Sequence, residues 1–170
     1  MDKGIEKKRK ERADAITKAG DFESACKNGF LPSHADITVS EALILGLIRQ
    51  NVRSFFTVFG HGSTELGEVL RVYEEAGAIK SYGLRSEIEA SHAATALRWV
   101  TGKKAAVVTS IGPGALHAMS ASIAASSNSI GVWHIYGDET TEDEGPNMQQ
   151  IPRYEQGLYL RLCQTMGQAY

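Results

Sequence analysis

The feature that most constrains the fold of this chain is the alternation of short apolar strands with helical patterns. Apolar runs lie at residues 54–60 (SFFTVFG), 105–110 (AAVVTS) and 129–138 (SIGVWHIYGD), with a weaker one at 79–84 (IKSYGL). The segments between them have helical spacing. Because helical crossovers join parallel strands, the sequence predicts an α/β fold of three layers, α/β/α, with a parallel sheet covered on both faces.

Length and charge pattern divide the chain into two predicted parts. With 170 residues, of which 42% are hydrophobic, the chain can bury one core. Residues 1–36 read as a charged N-terminal helix followed by a loop, and residues 37–170 as the compact domain. The N-terminal helix is either a solvated element or an arm that docks on a partner chain, and the sequence leaves both interpretations open.

Composition excludes several classes of partner and location. The net charge of −2 gives no reason to expect nucleic acid or an anionic membrane. No apolar run approaches the length of a membrane span, and the N-terminus MDKGIEKKRKER lacks the apolar core of a secretion signal. Cys26 and Cys163 lie far apart without metal-type spacing, which favours reduced thiols. We therefore expect a cytoplasmic protein.

Three loops are expected at the edge of the sheet where parallel strands end, which is where ligands bind in open α/β sheets. Their sequences are FGHGST (59–64), YGLRSE (82–87) and TSIGPGA (109–115). The last places Gly112, Pro113 and Gly114 directly after a strand, a bend that suits close approach of a flat ring or another backbone. The sequence therefore predicts a ligand site at this edge.

The FGHGST loop on its own has two interpretations. Gly60 and Gly62 permit a tight turn, and the free N–H groups of the following helix favour an anion. The spacing does not match G-x-G-x-x-G, so the loop is either a strand-to-helix turn capped by Ser63 or Thr64, or a phosphate loop. The second interpretation would make the chain a stand-alone nucleotide-binding or regulatory Rossmann-like module.

Other catalytic signatures are missing from the sequence. The five histidines form no ligand-like cluster, and H-E-x-x-H, G-x-S-x-G and Walker patterns are absent. We predict no metal site in this chain. The helix at 114–128 carries almost no large side chain, so something must pack closely on it, and it is the candidate for a subunit interface.

Two carboxylates, Glu87 and Glu89, open the helix in RSEIEASHAATALRWVTGK (85–103). Acidic residues stabilise a helix N-terminus electrostatically, which would explain both of them. Alternatively, one of them handles protons beside a ligand. These residues alone do not decide between the two explanations.

Four motifs, taken in the order in which they occur along the chain, resemble the pyrimidine-binding (PYR) domain of thiamine diphosphate enzymes. They are VFGHGSTEL, then RSEIEASHAATALRWVTGK, then AAVVTSIGPGALHAM, then GD followed by MQQ. Acetolactate synthases show a similar series, and trihydroxycyclohexanedione hydrolases share the F-G-H-G turn and the additional residue, here Ile111. The resemblance covers residues 37–165 and implies the thiamine diphosphate-binding PYR-domain fold.

The resemblance implies that Glu87 is catalytic, hydrogen-bonding N1′ of the cofactor's aminopyrimidine with a carboxyl group that can hold a proton. Glu89 would then be an ordinary first-turn acid, and Ser86 replaces the family's usual histidine. The implied substrate contacts are Thr109, His117 and Gln149. The implied cofactor-binding residues are Gly60, His61, Gly62, Ser63, Ser110, Ile111, Gly112, Pro113 and Gly114.

The resemblance also implies a partner. Family members hold the diphosphate through Mg²⁺ on a second domain with G-D-G and N-N motifs, whereas this sequence has GDE at 137–139 and no N-N. We therefore expect a separate subunit that carries the diphosphate and Mg²⁺ site, in a heterotetramer. The implied reaction is cleavage, decarboxylation or ligation next to a carbonyl, on a 2-oxo acid or a cyclic diketone. A catalytically dead scaffold is a further alternative, and the retained Glu87 argues against it.

Overall fold

A computed structural model describes residues 3–138 and 157–165. Gln149 and the MQQ motif lie outside the described residues. In chain order the elements are α1 (Lys3–Ala19), α2 (Phe22–Lys27), α3 (Val39–Arg49), β1 (Val52–Val58), α4 (Thr64–Glu75), β2 (Lys80–Gly83), α5 (Glu87–Thr101), β3 (Lys104–Thr109), α6 (Pro113–Ser127), β4 (Trp133–Tyr136) and α7 (Leu158–Thr165).

The strands form one parallel sheet in the order β2-β1-β3-β4. Phe56 of β1 lies opposite Tyr82 of β2 and Val107 of β3, which sets the register in the middle of the sheet. The inner strands are the most apolar because both of their faces are covered. All strands of a parallel sheet end at the same edge, so the three predicted loops meet there, and the predicted parallel sheet is confirmed.

Two apolar clusters cover the two faces of the sheet, as strand geometry requires. Side chains alternate along a strand, so Phe55 joins one cluster and Phe56 the other. The first cluster contains residues of α3 and α4, including Ile44 and Val69. The second contains Ala90 and Ala94 of α5. This arrangement confirms the predicted three-layer α/β/α architecture.

The charged N-terminal helix packs on its own chain. Ala13 and Ile16 of α1 are fully buried in the first apolar cluster. Arg12 forms two hydrogen bonds with the buried carboxylate of Glu41, Nε to Oε1 and Nη2 to Oε2, both 2.7 Å long. The helix is therefore anchored by a buried charge network as well as by apolar contacts. The domain boundary at residue 36 stays a prediction.

The last strand is shorter than the sequence predicts. The apolar run at 129–138 suggested a long strand, whereas β4 begins at Trp133. Helix α6 ends at Ser127, Asn128 caps it, and Ser129 has a positive φ of 55°. The chain needs the residues after α6 to reverse direction towards the sheet, which shortens the strand. In the part of the chain that the structure describes, no helix is long and apolar enough to cross a membrane.

Candidate functional site

Glycines bring the loops after β1 and β4 into direct backbone contact at the carboxyl edge of the sheet. Gly62 has a φ of +78°, and a Cβ built on it would lie 2.8 Å from the backbone nitrogen of Asp138. A Cβ built on Gly137 would lie 2.9 Å from the carbonyl oxygen of His61. Only glycine fits at either position. The GHGST turn is therefore filled by the chain's own backbone, which argues against a phosphate loop.

Hydrogen bonds hold the loop after β3 against the loop after β1. The N–H of Ile111 donates to the carbonyl of His61 over 3.1 Å. Within the β1 loop, the Ser63 hydroxyl accepts from the N–H of Gly60 at 3.2 Å and lies 3.1 Å from its carbonyl oxygen. Ser63 therefore closes this turn, and its side chain makes no cap hydrogen bond to α4. The two loops form one fixed wall.

Glu87 is the first residue of α5, and its side chain is only 15% exposed. A carboxylate is stabilised at a helix N-terminus, and the preceding Ser86 makes no side-chain cap hydrogen bond there. Glu89, in the same turn, is exposed. The structure thus separates the two acids, since Glu87 alone is held at the edge where the loops converge.

The two oxygens of the Glu87 carboxylate have different neighbours. Oε2 lies 3.4 Å from Nδ1 of His117 on α6. Oε1 would lie 3.0 Å from a Cβ built on Gly114, and the Ser110 side chain approaches the same point. Glu87, Ser110 and His117 therefore lie close together around the start of α6, and the missing side chain of Gly114 lets the carboxylate and the Ser110 hydroxyl approach the backbone there.

The predicted cofactor-binding residues all lie in the loops after β1 and β3 or at the start of α6, but they differ in exposure. His61 and Pro113 are exposed and Ser110 is half-buried, so these side chains can contact a ligand. Ser63 and Ile111 are buried and shape the loops instead. Thr109 is fully buried, and its hydroxyl donates to the carbonyl of Ser110 at 3.3 Å. A substrate contact by Thr109 stays a prediction, as does one by Gln149.

Helix α6 packs against α5 of the same chain, which explains its small residues. The hydroxyl of Ser91 is shared between the carbonyl oxygens of Glu87, at 2.8 Å, and Ala118, at 3.2 Å. Ala121 is only 5% exposed, so it faces the chain's own interior and not a partner. The exposed apolar residues of α6 are Leu116 and Ile123. A subunit interface on α6 would therefore use those two side chains.

Sequence reasoning missed the pairing of His117 with Glu87 and the bridge made by Ser91. Ser91 follows Glu87 by one helical turn in an alanine-rich helix, and that spacing was an available signal. His117 had none, because its contact depends on how α5 and α6 pack. Among the described residues, no group of three or more metal-ligating side chains lies close enough to hold an ion.

A cavity of about 770 Å³, whose lining does not include Glu87, lies between α6, β4 and α7. Its lining includes Ser122, Tyr136, Tyr159 and Cys163. His134 also lines it, and both ring nitrogens of this histidine are buried and have no hydrogen-bond partner among the residues described. This burial lowers the pKa of His134 to about 4. The imidazole is therefore neutral at physiological pH.

Comparison with known proteins gave consistent results. A family model described as "Thiamine pyrophosphate enzyme, N-terminal TPP binding domain" matches residues 37–157. A 3D-(3,5/4)-trihydroxycyclohexane-1,2-dione hydrolase of Clostridium perfringens (strain 13) is 35% identical over 112 residues, which cover 63% of this chain and 17% of the relative. The hydrolase of the same name from Bacillus subtilis (strain 168) is 34% identical over 128 residues, covering 68% and 20%. The chain spans a fifth or less of the length of these curated relatives.

Proposed function

The chain belongs to the thiamine pyrophosphate enzyme family, in its N-terminal TPP binding domain, and from that premise we propose that it is the PYR subunit of a heteromeric thiamine diphosphate-dependent enzyme. In this proposal Glu87 activates the aminopyrimidine of the cofactor. The enzyme cleaves, decarboxylates or ligates a C–C bond next to a carbonyl, as a lyase, a carboligase or a C–C hydrolase.

The observation that carries the proposal is the largely buried carboxylate of Glu87, which is held at the carboxyl edge of the sheet with one oxygen beside Ser110 and Gly114. The residues present fit the group, because an aminopyrimidine ring needs a proton-carrying partner at the edge of the sheet where ligands bind, and Glu87 supplies one there. In the loop after β3, the exposed Pro113 and the half-buried Ser110 would contact the ring.

The chain's own residues contribute proton handling and position. Thiamine diphosphate, when bound, supplies an electron sink for carbanion chemistry beside a carbonyl. Glu87 would hold a proton on its carboxyl group and exchange it with the aminopyrimidine. The loop backbones from Gly60 to Ser63 and from Ser110 to Gly114 would help to exclude water from the site. Positioning of this kind lowers the barrier because the reacting groups are already aligned.

We place the diphosphate and Mg²⁺ site on a partner subunit, and the assembly is a heterotetramer. Support comes from exposed apolar side chains on α5 and α6, the helices that carry Glu87 and His117. Ile88 and Trp99 of α5 are 41% and 65% exposed, and Leu116 and Ile123 of α6 are 44% and 52% exposed. Exposed apolar side chains on adjacent helices are typical of a protein interface.

The names of the relatives indicate which substrate class should be tested first. The curated relatives are hydrolases of a trihydroxycyclohexane-1,2-dione. A cyclic diketone, opened by hydrolysis of the bond between its carbonyl carbons or next to one of them, is therefore the first substrate class to test. A 2-oxo acid is the second. Nucleic acid and membranes are not among the proposed partners, and the free thiols of Cys26 and Cys163 are consistent with a cytoplasmic location.

A tagged chain recovered from its native cells tests the proposal. The expected result is co-purification with a protein that carries G-D-G and N-N motifs. Calorimetry with thiamine diphosphate and Mg²⁺ should then show saturable binding to the complex. A complex with such a protein that binds no thiamine diphosphate would contradict the proposed function, and so would a chain recovered only as a monomer.

A further inference from the structure

His117 and Glu87 lie near the N-termini of two helices that pack side by side. His117 is on α6, one turn after the glycine-rich bend, and Glu87 opens α5. The Ser91 hydroxyl ties the carbonyl of Glu87 to that of Ala118, next to His117 in sequence. The contact between the helices therefore brings the two residues together. Nδ1 of His117 lies 3.4 Å from Oε2 of Glu87.

The two oxygens of the Glu87 carboxylate differ in what they contact. Oε2 lies 3.4 Å from Nδ1 of His117, whereas Oε1 lies on the side of Gly114 and Ser110. A carboxylate rotates easily about its last bond, and either oxygen could otherwise take that position. A donor fixed on Oε2 removes that freedom. The catalytic oxygen is then defined before any ligand enters.

We propose that His117 is a positioning residue for Glu87, with its Nδ1–H donating to Oε2 so that Oε1 is the oxygen left to receive the cofactor. This inference rests on the proposed function only for its consequence in catalysis. The hydrogen bond itself is a property of this chain alone. His117 acts through Glu87 in this assignment, and the substrate contact by His117 that the family resemblance implied stays a prediction.

The proposal makes a specific statement about the histidine ring. A neutral imidazole carries its proton on one nitrogen only, and the partner of that nitrogen selects the tautomer. Donation to a carboxylate requires the proton on Nδ1, whereas a free histidine prefers the Nε2–H form. The His117 side chain is 60% exposed, so Nε2 is open to solvent and makes no comparable contact that would fix the orientation of the ring. The tautomer of His117 therefore reports directly on its contact with Glu87.

Nitrogen-15 NMR of the full-length chain tests this contact without cofactor or partner. At about pH 9, where histidine is neutral, the ring nitrogen shifts of His117 should show the proton on Nδ1. In a Glu87→Ala variant the ring should revert to the Nε2–H form. A wild-type ring with its proton on Nε2 would overturn the proposal, whatever the variant does.

Thiamine diphosphate affinity of the complex with the partner subunit tests the consequence. His117→Leu should weaken binding about tenfold, the loss expected for one hydrogen bond to a charged group. His117→Asn should restore most of it, because the amide nitrogen of asparagine takes the place of Nδ1. His34→Leu, which removes an exposed histidine of the loop before α3, is the matched control and should leave affinity unchanged.

The outcomes separate the two proposals. If His117→Leu binds the cofactor as tightly as the wild type, the positioning role is wrong although the enzyme assignment stands. If the asparagine variant is as weak as the leucine variant, a donor at the Nδ1 position is not what Glu87 needs, and the proposal is overturned. If the wild-type complex binds no thiamine diphosphate, the proposed function fails, and the NMR result still decides whether the hydrogen bond exists.

Discussion

At the scale of single residues, Gly114 matters because it has no side chain. A Cβ at this position would lie 3.0 Å from Oε1 of Glu87 and would also press on the side chain of Ser110. Both neighbours are side-chain atoms that can move, so the fold can adapt. What would change is the position of the carboxylate and of the Ser110 hydroxyl. Stability and function are therefore expected to respond differently to a methyl group here.

We predict that Gly114→Ala lowers kcat/KM about tenfold or more because Glu87 and Ser110 are displaced from their positions. Its free energy of unfolding should change by no more than about 1 kcal/mol, since alanine is the better helix former by roughly that amount. Urea unfolding and steady-state kinetics measure the two effects. Gly46→Ala on α3, where an added Cβ meets nothing within 4 Å, is the control. The control should gain stability and keep its activity, and equal activity in both variants would contradict the prediction.

His134 makes stability depend on pH. Burial lowers its folded-state pKa to about 4, below the ordinary value of 6.5. As the pH falls, His134 is therefore protonated at a higher pH in the unfolded chain than in the folded chain. The contribution of His134 is fully present above about pH 6.5 and is progressively lost towards pH 4, and by about pH 5 the loss is about 2 kcal/mol. Urea unfolding at about pH 7.5 and pH 5 should show a smaller loss in His134→Phe than in the wild type. Identical losses would show that the ring is not buried as described.

At the scale of elements, a buried charge network attaches α1 to α3 and α4. Glu41 and Arg9 are both fully buried, and their closest charged atoms are 3.5 Å apart. Tyr73 also donates to Oε1 of Glu41 over 3.0 Å, and burial together with the Glu41 charge raises the pKa of this phenol. A buried ion pair adds little net stability over apolar residues, but removing one partner leaves the other charge uncompensated.

Glu41→Leu should therefore lower the free energy of unfolding by about 3–5 kcal/mol. Thermal or urea unfolding measures this loss, and hydrogen exchange should show α1 opening first. Glu23→Gln is the comparison, because Glu23 pairs with Arg49 at 2.7 Å where both side chains are more than half exposed. That variant should cost less than about 1 kcal/mol. Similar costs for the two variants would contradict the buried network.

The sequence predicted the order and type of the central elements but not how α1 is attached. Helical spacing and apolar strands are local patterns, so the alternation from α3 to β4 could be recognised from residue types alone. The attachment of α1 depends on Arg9 and Arg12 reaching Glu41, residues far apart in sequence that look like ordinary surface charges. In the same way, the loops of the site were recognisable by their glycines, whereas the His117 contact depends on packing between helices.

At the scale of the whole molecule, the α5–α6 surface beside Glu87 is the proposed contact with the partner subunit. Exposed and buried residues of α6 are expected to respond differently to substitution. Ile123 is 52% exposed and should tolerate a charge in the isolated chain. Ala121, at 5% exposure, should not tolerate a bulky residue, since it faces the chain's own interior.

We predict that Ile123→Asp prevents assembly with the partner while the isolated chain keeps its wild-type unfolding curve. A charge placed in an apolar interface is left without a partner when water is excluded. Size-exclusion chromatography with light scattering measures assembly. Val39→Asp, at an 88% exposed position of α3, is the control and should assemble normally. Normal assembly of Ile123→Asp would place the interface elsewhere.

The central claim is that Glu87 activates the cofactor in an assembled enzyme, and turnover by matched variants of α5 tests it most directly. With partner subunit, thiamine diphosphate, Mg²⁺ and a cyclic diketone or pyruvate, Glu87→Gln should lose at least about a hundredfold in kcat while still assembling. Glu89→Gln, which changes the exposed acid of the same helical turn, should keep nearly wild-type activity. Full turnover by Glu87→Gln would remove this carboxylate from the mechanism and contradict the account.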